Sequence, residues 1–526
     1  MQPRQRVLLL AAKKSGKIIF PTREFDMPTQ EAQKHDFVAP VKSYDLNEWQ
    51  RGYESLKQEF DYWIDDVEGQ IPPELNGTLF RNGPGLLDIN GQRIHHPFDG
   101  DGMIVRVTFQ NGRAHFCNRF VRTTGYLEEQ QAGKILYRGV FGTKKPGGWL
   151  NNAFDFKLKN IANTNVIYWG NKLLALWEAA EPLRLDPYTL ETLGQEYFDG
   201  ILSEGEAFGA HPRFDPHSKL DGGAPCLVNF SIKPGLSTTI TIFELSPAGK
   251  VVRKHACTVP GFAFIHDFAI TPNYCILFQN PVTFNPIPFV LGMRGAAECI
   301  KFQSQRPTRI IIIPRQPKQK QIKILETYCG FVFHHANAFE QDREIIIDSI
   351  CYKSLPEVEP ESDFRKVNFD ALDPGQIWRF HLNLQNHTVQ QQLLESRHCE
   401  FPNLHPQKVG HSYRYIYVAA ASASHGSAPL QAFLKIDLHS GKQQFWSAAP
   451  HGFVGEPVFV PRSNAQQEDD GWILALVYDG ANHRSDVVIL DARELHQGPI
   501  ARLHLKHHIP YGLHGNFTSE VFLPRN

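Results

Sequence analysis

Four histidines stand in four short and unlike contexts: Ala210-His211-Pro212, Ile265-His266-Asp267, Phe333-His334-His335 and Leu513-His514-Gly515. Three carboxylates, Glu178, Glu400 and Glu456, stand in comparably distinctive ones. Neutral imidazole is the commonest side-chain ligand for a metal ion, and a carboxylate behind it fixes its tautomer and orientation. From His211 onward, six of these seven fall at 211, 266, 334, 400, 456 and 514. The step is roughly 60 residues, a blade-sized period. A radial repeat protein that brings one residue per repeat to a common axis would assemble a metal site from such a series.

Iron, copper and zinc all accept neutral imidazole. Structural zinc sites lean on cysteine and on close local spacings, whereas these histidines are far apart and need the whole fold to meet. Four imidazoles on an axis leave coordination positions open for substrate, which suits octahedral Fe(II). Three buried carboxylates would then accept Nδ1–H bonds and offset the charge of the ion. The opposing reading is that the chain has 24 histidines, and most histidines in any protein are ordinary core or surface residues. His95-His96, His507-His508 and His335 show that pairing alone does not mark a ligand here.

The elements that would position these residues read as strands. Short β-rich runs alternate with turn residues from Ile71-Pro72-Pro73 onward: Met103–Phe109, Asn165–Trp169 with Lys172–Trp177 across a Gly170-Asn171 turn, Thr238–Leu245, Arg309–Ile313, Glu344–Tyr352, Ile377–Leu384, Tyr413–Ala420, Phe433–Leu438, Trp472–Val477 and Asp486–Leu490. Helical periodicity is nearly absent past residue 80. Many short strands with a long period predict an all-β chain, a β-propeller of about seven blades. An array of β-sandwiches is the alternative, but it would not explain one marked residue per repeat. Before the strands, Trp49, Tyr53, Leu56, Phe60 and Trp63 recur at helical steps behind a capping Asp45. They predict a helix lying across the larger body, with Gly52 arguing against it.

Composition narrows the function classes. A net charge of −1 with 42% hydrophobic and 21% charged residues provides no field for nucleic acid or another polyanion. The eight cysteines include no CxxC pair, which excludes a zinc ribbon or a dithiol redox motif and fits a reduced, cytoplasmic protein. Val7 to Ala12 is apolar, but it is short for a signal core and Lys13-Lys14 follows it. Residues 1–40 therefore read as a poorly ordered N-terminal extension and 41–526 as a single domain. The chain has no apolar run long enough to span a bilayer. Its 37 phenylalanines imply a large aromatic interior or an aromatic-lined channel.

Longer stretches of sequence carry a resemblance. They include Leu79-Phe80-Arg81-Asn82-Gly83-Pro84-Gly85, His96-Pro97-Phe98-Asp99-Gly100-Asp101-Gly102-Met103, Ala210-His211-Pro212-Arg213, Phe264-Ile265-His266-Asp267-Phe268 and Phe333-His334-His335-Ala336-Asn337-Ala338. Glu400-Phe401-Pro402, Gly455-Glu456-Pro457 and His508-Ile509-Pro510-Tyr511-Gly512-Leu513-His514-Gly515 complete the set. In these the chain, from about Tyr44 to its end, resembles the carotenoid cleavage oxygenases, and within them the cyanobacterial apocarotenoid-cleaving branch. The resemblance implies a seven-bladed propeller with one Fe(2+) on its axis, and helices and loops capping one face. His211, His266, His334 and His514 would be the ligands, with His334 rather than His335 matching the family position. Glu178 would pair with His266, Glu400 with His334 and Glu456 with His514, leaving His211 without a carboxylate. Thr164 matches a position whose methyl group crowds an open coordination site.

The implied reaction is cleavage of a polyene double bond by O2 to two aldehydes, with an apocarotenal as substrate and retinal-type products. The alternatives are eccentric cleavage of intact carotenoids, stilbene cleavage, isomerohydrolase chemistry without O2, and a non-catalytic carotenoid-binding propeller. So hydrophobic a substrate calls for peripheral membrane contact. Val282–Met293, apolar and proline-broken, is the first candidate, and Ile135–Phe154, with Phe141, Trp149, Leu150 and Phe154 beside Lys144 and Lys145, is the second. A monomer is expected.

Overall fold

The run Ile310-Ile311-Ile312-Ile313 shows how this sequence makes sheets. β-Branched side chains suit a pleated surface, and alternate residues of a strand face opposite ways. In the computed structural model all four are buried. Ile311 and Ile313 pack against Cys226, Val228 and Ile240 on one side, and Ile310 and Ile312 against Ile345, Ile347 and Phe380 on the other. A strand buried on both faces needs a sheet on each side, and here every blade has two neighbours.

The structure describes residues 43–219, 222–316, 321–355 and 363–524; the extension expected over 1–40 lies outside them. Among the described residues the strands form a seven-bladed β-propeller, with two small two-stranded sheets besides. Blade 1 contains Gly77–Leu86, Asp101–Gln110 and Arg113–Phe120; blade 2 runs from Asn165–Trp169 to Thr192–Gln195; blade 3 from Arg213–Asp215 to Val251–Pro260. Blade 4 runs from Phe268–Ile270 to Lys323–Thr327, blade 5 from Phe331–Gln341 to Thr388–Glu395, blade 6 from Cys399–Asn403 to Gln443–Ser447, and blade 7 from Gly452–Val454 to Pro499–His504. Each pair of neighbouring blades shares its own hydrophobic core, and the core between blades 7 and 1 closes the ring.

Both ends of the described chain reinforce that closure. Gly515–Thr518 adds the inner strand of blade 1, with Arg81 opposite Gly515. Val67–Gly69 adds the outer strand of blade 7. Gly83 lies so close to the returning chain that a Cβ there would meet the Gly512 Cα at 2.5 Å, so only glycine fits.

The helix expected from Asp45 is shorter than its pattern. Asp45 caps it as read, but it spans only Leu46–Arg51 and ends at Gly52. Trp63 belongs instead to a strand of blade 1, Asp61–Trp63. The aromatic spacing serves tertiary contacts: Trp49 and Tyr53 pack edge-on against Phe369 and Phe364, and both meet Tyr511. Past residue 80 two further α-helices occur among the described residues, Thr124–Ala132 and Pro286–Val290.

Candidate metal centre

Six of the singled-out residues sit at or beside the start of an innermost strand, and His514 completes the ring in blade 1. Thr164 precedes Asn165–Trp169 of blade 2, His211 precedes Arg213–Asp215 of blade 3, and His266 precedes Phe268–Ile270 of blade 4. His334 lies within Phe331–Gln341 of blade 5, Glu400 within Cys399–Asn403 of blade 6, and Glu456 between the two inner strands of blade 7. His514 immediately precedes Gly515–Thr518. Glu178 is the exception, two residues beyond the second strand of blade 2, Lys172–Leu176.

Bulges aim two of these side chains. In blade 5 the register jumps so that Phe333 and His334 together stand opposite Ile350, which turns the strand locally. His334 then faces the axis, while His335 turns away to bond Ser349 Oγ at 2.7 Å and pack on Phe278. In blade 6 the register breaks between Glu400 and Asn403, and Phe401 takes a left-handed φ of 55°. For a bulky residue this costs about 1 kcal/mol or more. The Phe401 ring lies against those of His334 and His514.

The four imidazoles converge. One nitrogen from each of His211, His266, His334 and His514 lies within 4.8 Å of the other three. Nε2 of His211 and Nε2 of His266 approach to 2.9 Å. Nε2 of His334 is buried and has no hydrogen-bond partner among the described residues, an arrangement that is costly unless something accepts its lone pair. The Nδ1 atoms point outward: His266 Nδ1 pairs with Glu178, His334 Nδ1 with Glu400 at 2.6 Å, and His514 Nδ1 with Glu456 at 2.9 Å. Each carboxylate thus holds a proton on Nδ1 and leaves Nε2 free toward the axis. Among the described residues no carboxylate pairs with His211. Neutral nitrogen donors in this number and orientation fit a divalent transition metal.

The electrostatics follow from burial and pairing. Burial, then the neighbouring imidazoles, pushes His211 well below its ordinary value. Burial also lowers His514, with Glu456 opposing it. For His334 burial acts the same way, but Glu400 outweighs it and the ring titrates higher than usual. Burial would raise Glu400 and Glu456, yet His334 holds the first at about 2, and Arg81 with His514 the second at about 2.

Several supporting residues carry no role in the sequence reading. Tyr352 donates its hydroxyl to Glu400, whose other oxygen also accepts Phe401 N–H at 3.0 Å. Arg81 is buried; it pairs with Glu456 and donates to the Leu513 carbonyl at 2.7 Å. Asn82 ties blades 1 and 2 by donating to the carbonyls of Ala162 and Asn165, both at 2.8 Å, and its backbone exchanges bonds with Leu513 and His514. Asp267 accepts Phe268 N–H at 2.7 Å and His335 N–H at 2.8 Å and pairs with Arg213, which fixes the backbone beside two histidines. Arg213 and Asp267 also line a polar cavity of about 140 Å³ that adjoins His211, His334 and His514.

The family described as "RPE65: Retinal pigment epithelial membrane protein" matches residues 53–519. The apocarotenoid-15,15'-oxygenase of Synechocystis sp. is 57% identical over 478 residues, which is 91% of this chain and 97% of that one. The chain belongs to the RPE65/carotenoid oxygenase family. A structure of cobalt-substituted Synechocystis ACO, 57% identical, superposes with a TM-score of 0.89 over 91% of this chain and all of that one. A more distant member, lignostilbene-alpha,beta-dioxygenase isozyme III of Sphingomonas paucimobilis, is 29% identical over 89% of this chain and 96% of its own. As a carotenoid oxygenase, this chain carries its histidine ring at the axis of a propeller of the same fold.

Among the described residues no helix is long and apolar enough to cross a membrane. The two apolar segments expected to meet a membrane are joined. Phe154 N–H donates to the Val290 carbonyl at 2.7 Å, and the buried Arg138 guanidinium bonds the carbonyls of Asp155, Phe289 and Arg294. Trp149, Leu150, Phe154, Ile287 and Met293 are each more than half exposed. Val282 is instead buried in a small sheet with Ile300–Phe302, so the first segment contributes only its second half. Lys145 is engaged by Asp155 at 2.6 Å.

Proposed function

We propose that the protein is a non-haem iron dioxygenase that cleaves the central 15,15' double bond of apocarotenals to retinal-type aldehydes. The observation that carries the reading is the convergence of four imidazole nitrogens on the propeller axis, three of them backed by carboxylates, in a chain 57% identical to an apocarotenoid-15,15'-oxygenase. His211, His266, His334 and His514 would hold one Fe(2+) per chain through Nε2. When bound there, the ion supplies activation of O2 beside an electron-rich double bond. The chain itself does the rest. Glu178, Glu400 and Glu456 keep three rings in one tautomer and offset the charge of a site whose ligands are neutral. Thr164 donates its hydroxyl to Asn163 Oδ1 at 3.2 Å, which leaves its methyl as the group available to restrict access to the ring. The reaction needs no side-chain nucleophile or general acid. Positioning of the polyene and exclusion of water are the protein's contribution.

The joined apolar face supports peripheral attachment of a cytoplasmic protein to the membrane that holds the substrate. Its exposed rings and aliphatic side chains suit the interfacial region of a bilayer. The metal assignment is tested by elemental analysis of the purified protein. A single iron per chain is expected, removable by chelation with loss of cleavage and restored by Fe(II). Full activity in folded, iron-free protein would overturn it.

A further inference from the structure

The motif His95-His96-Pro97-Phe98-Asp99 has no part in the histidine ring. His96 caps the short turn Pro97–Asp99: its Nδ1 accepts the backbone N–H of Phe98 at 3.2 Å. That bond settles the tautomer, because an accepting Nδ1 leaves the ring proton on Nε2. Burial, with His95 alongside, holds the ring's pKa down at about 3, so the imidazole is neutral at physiological pH. Three phenylalanines surround it: Phe141 stacks on it at 5.0 Å, Phe98 meets it edge-on at 4.8 Å, and Phe364 lies tilted at 5.6 Å. Its only hydrogen bond among the described residues is the one at Nδ1. The Nε2–H is therefore a fixed donor on a half-buried ring flanked by three phenylalanines.

The turn that carries His96 is bonded on two sides. Phe141 belongs to the segment that continues to Trp149 and Phe154, and its N–H is held by Asp99 Oδ1 at 2.9 Å. On the other side Asn163 donates to the carbonyls of Phe98 at 3.2 Å and Gly100 at 2.8 Å. Asn163 is the neighbour of Thr164 and accepts its hydroxyl. The turn that carries His96 is thus fastened at one end to the exposed segment and at the other to the site. Three aromatic rings beside one fixed donor suit a hydrocarbon that carries a single oxygen acceptor.

We propose that His96 is a specificity-determining residue that donates Nε2–H to an oxygen at the end of the bound polyene, either the aldehyde carbonyl or a hydroxyl or keto oxygen on the terminal ring. The proposal rests on the apocarotenal-cleaving reading and deepens it. A site built to satisfy an oxygen discriminates against the analogue that lacks it.

The test compares three substrates of equal polyene length: one with neither aldehyde nor ring oxygen, an apocarotenal with a plain ring, and an apocarotenal with a ring hydroxyl. They are assayed with the wild type, with His96→Phe, which keeps the stack, and with His96→Asn, which keeps the cap. Both variants are expected to raise KM for the oxygenated substrate roughly five- to tenfold, the worth of one hydrogen bond, with kcat and the hydrocarbon's KM unchanged. A loss shared by both apocarotenals assigns the aldehyde, and a loss confined to the hydroxylated one assigns the ring. An equal rise for all three substrates, no rise for any, or a loss in His96→Phe that His96→Asn does not share would overturn the proposal. Binding of the same three compounds under argon, read by quenching of tryptophan fluorescence, makes the same comparison without turnover. If the wild type cleaves none of the three yet binding still depends on His96, the reaction assignment fails and this inference stands.

Discussion

Glu178, Glu400 and Glu456 hold equivalent rings in unlike surroundings. The Glu456 side chain is 10% exposed and pairs with a buried arginine, whereas that of Glu178 is 31% exposed. Glutamine at either position keeps the shape but weakens the acceptor, so Glu178→Gln and Glu456→Gln are both expected to lower metal affinity about tenfold or more. Their effects on folding should differ. Glu456→Gln leaves Arg81 buried without its counter-charge and should cost about 3 kcal/mol; Glu178→Gln should cost under about 1 kcal/mol. Chelator competition and denaturant unfolding measure the two quantities, and equal stability losses would contradict this account of Arg81. The histidines and glutamates were legible because each sits in its own short motif. Arg81 and Tyr352 were not legible as supports: Arg81 meets Glu456 across 375 residues, and a contact of that range leaves no local pattern.

At the scale of elements, strands with a continuous β-branched run are readable, as in Glu344–Tyr352, whose observed bounds match the apolar run, whereas Gly77–Leu86, equally buried but holding Gly77, Gly83, Pro84 and Gly85, is not. The helices were not. Thr124–Ala132 reads TGYLEEQQA and has no apolar stripe; only its Thr123 cap and Gly133, with φ 62°, mark its ends. The helix behind Asp45 stops short of its aromatic pattern because those residues answer to Phe364, Phe369 and Tyr511 rather than to a helix face. The joined apolar face also belongs to this scale, since neither segment presents it alone. Replacing Trp149, Leu150 and Phe154 together by serine is expected to abolish co-sedimentation with phospholipid vesicles while leaving cleavage of detergent-dispersed substrate intact. Undiminished vesicle binding would remove this face from the membrane contact.

At the scale of the molecule, the ring and the site depend on one another. Every blade places a marked residue at or beside its inner strand, and the C-terminal strand that completes blade 1 follows directly from His514. The period of the motifs conveyed this architecture because one residue per blade is what an axial site requires. Acid should loosen the whole ring. Burial holds His96 at about 3 and His255 and His398 at about 4. Imidazoles kept neutral in the fold but free to protonate once unfolded cost stability as pH falls through 6.5 toward those values. The melting temperature should therefore decline from about pH 6.5 downward, before most carboxylates titrate; a melting temperature flat between pH 6.5 and 5 would contradict this. The central claim is that the axial histidines serve O2-dependent central cleavage. Incubation of the purified protein with an apocarotenal, in air and under argon, with products identified by mass, tests it most directly. The account predicts a retinal-type aldehyde and a shorter aldehyde partner in air and neither under argon. Aldehydes formed without oxygen, or fragments from an off-centre bond alone, would contradict it.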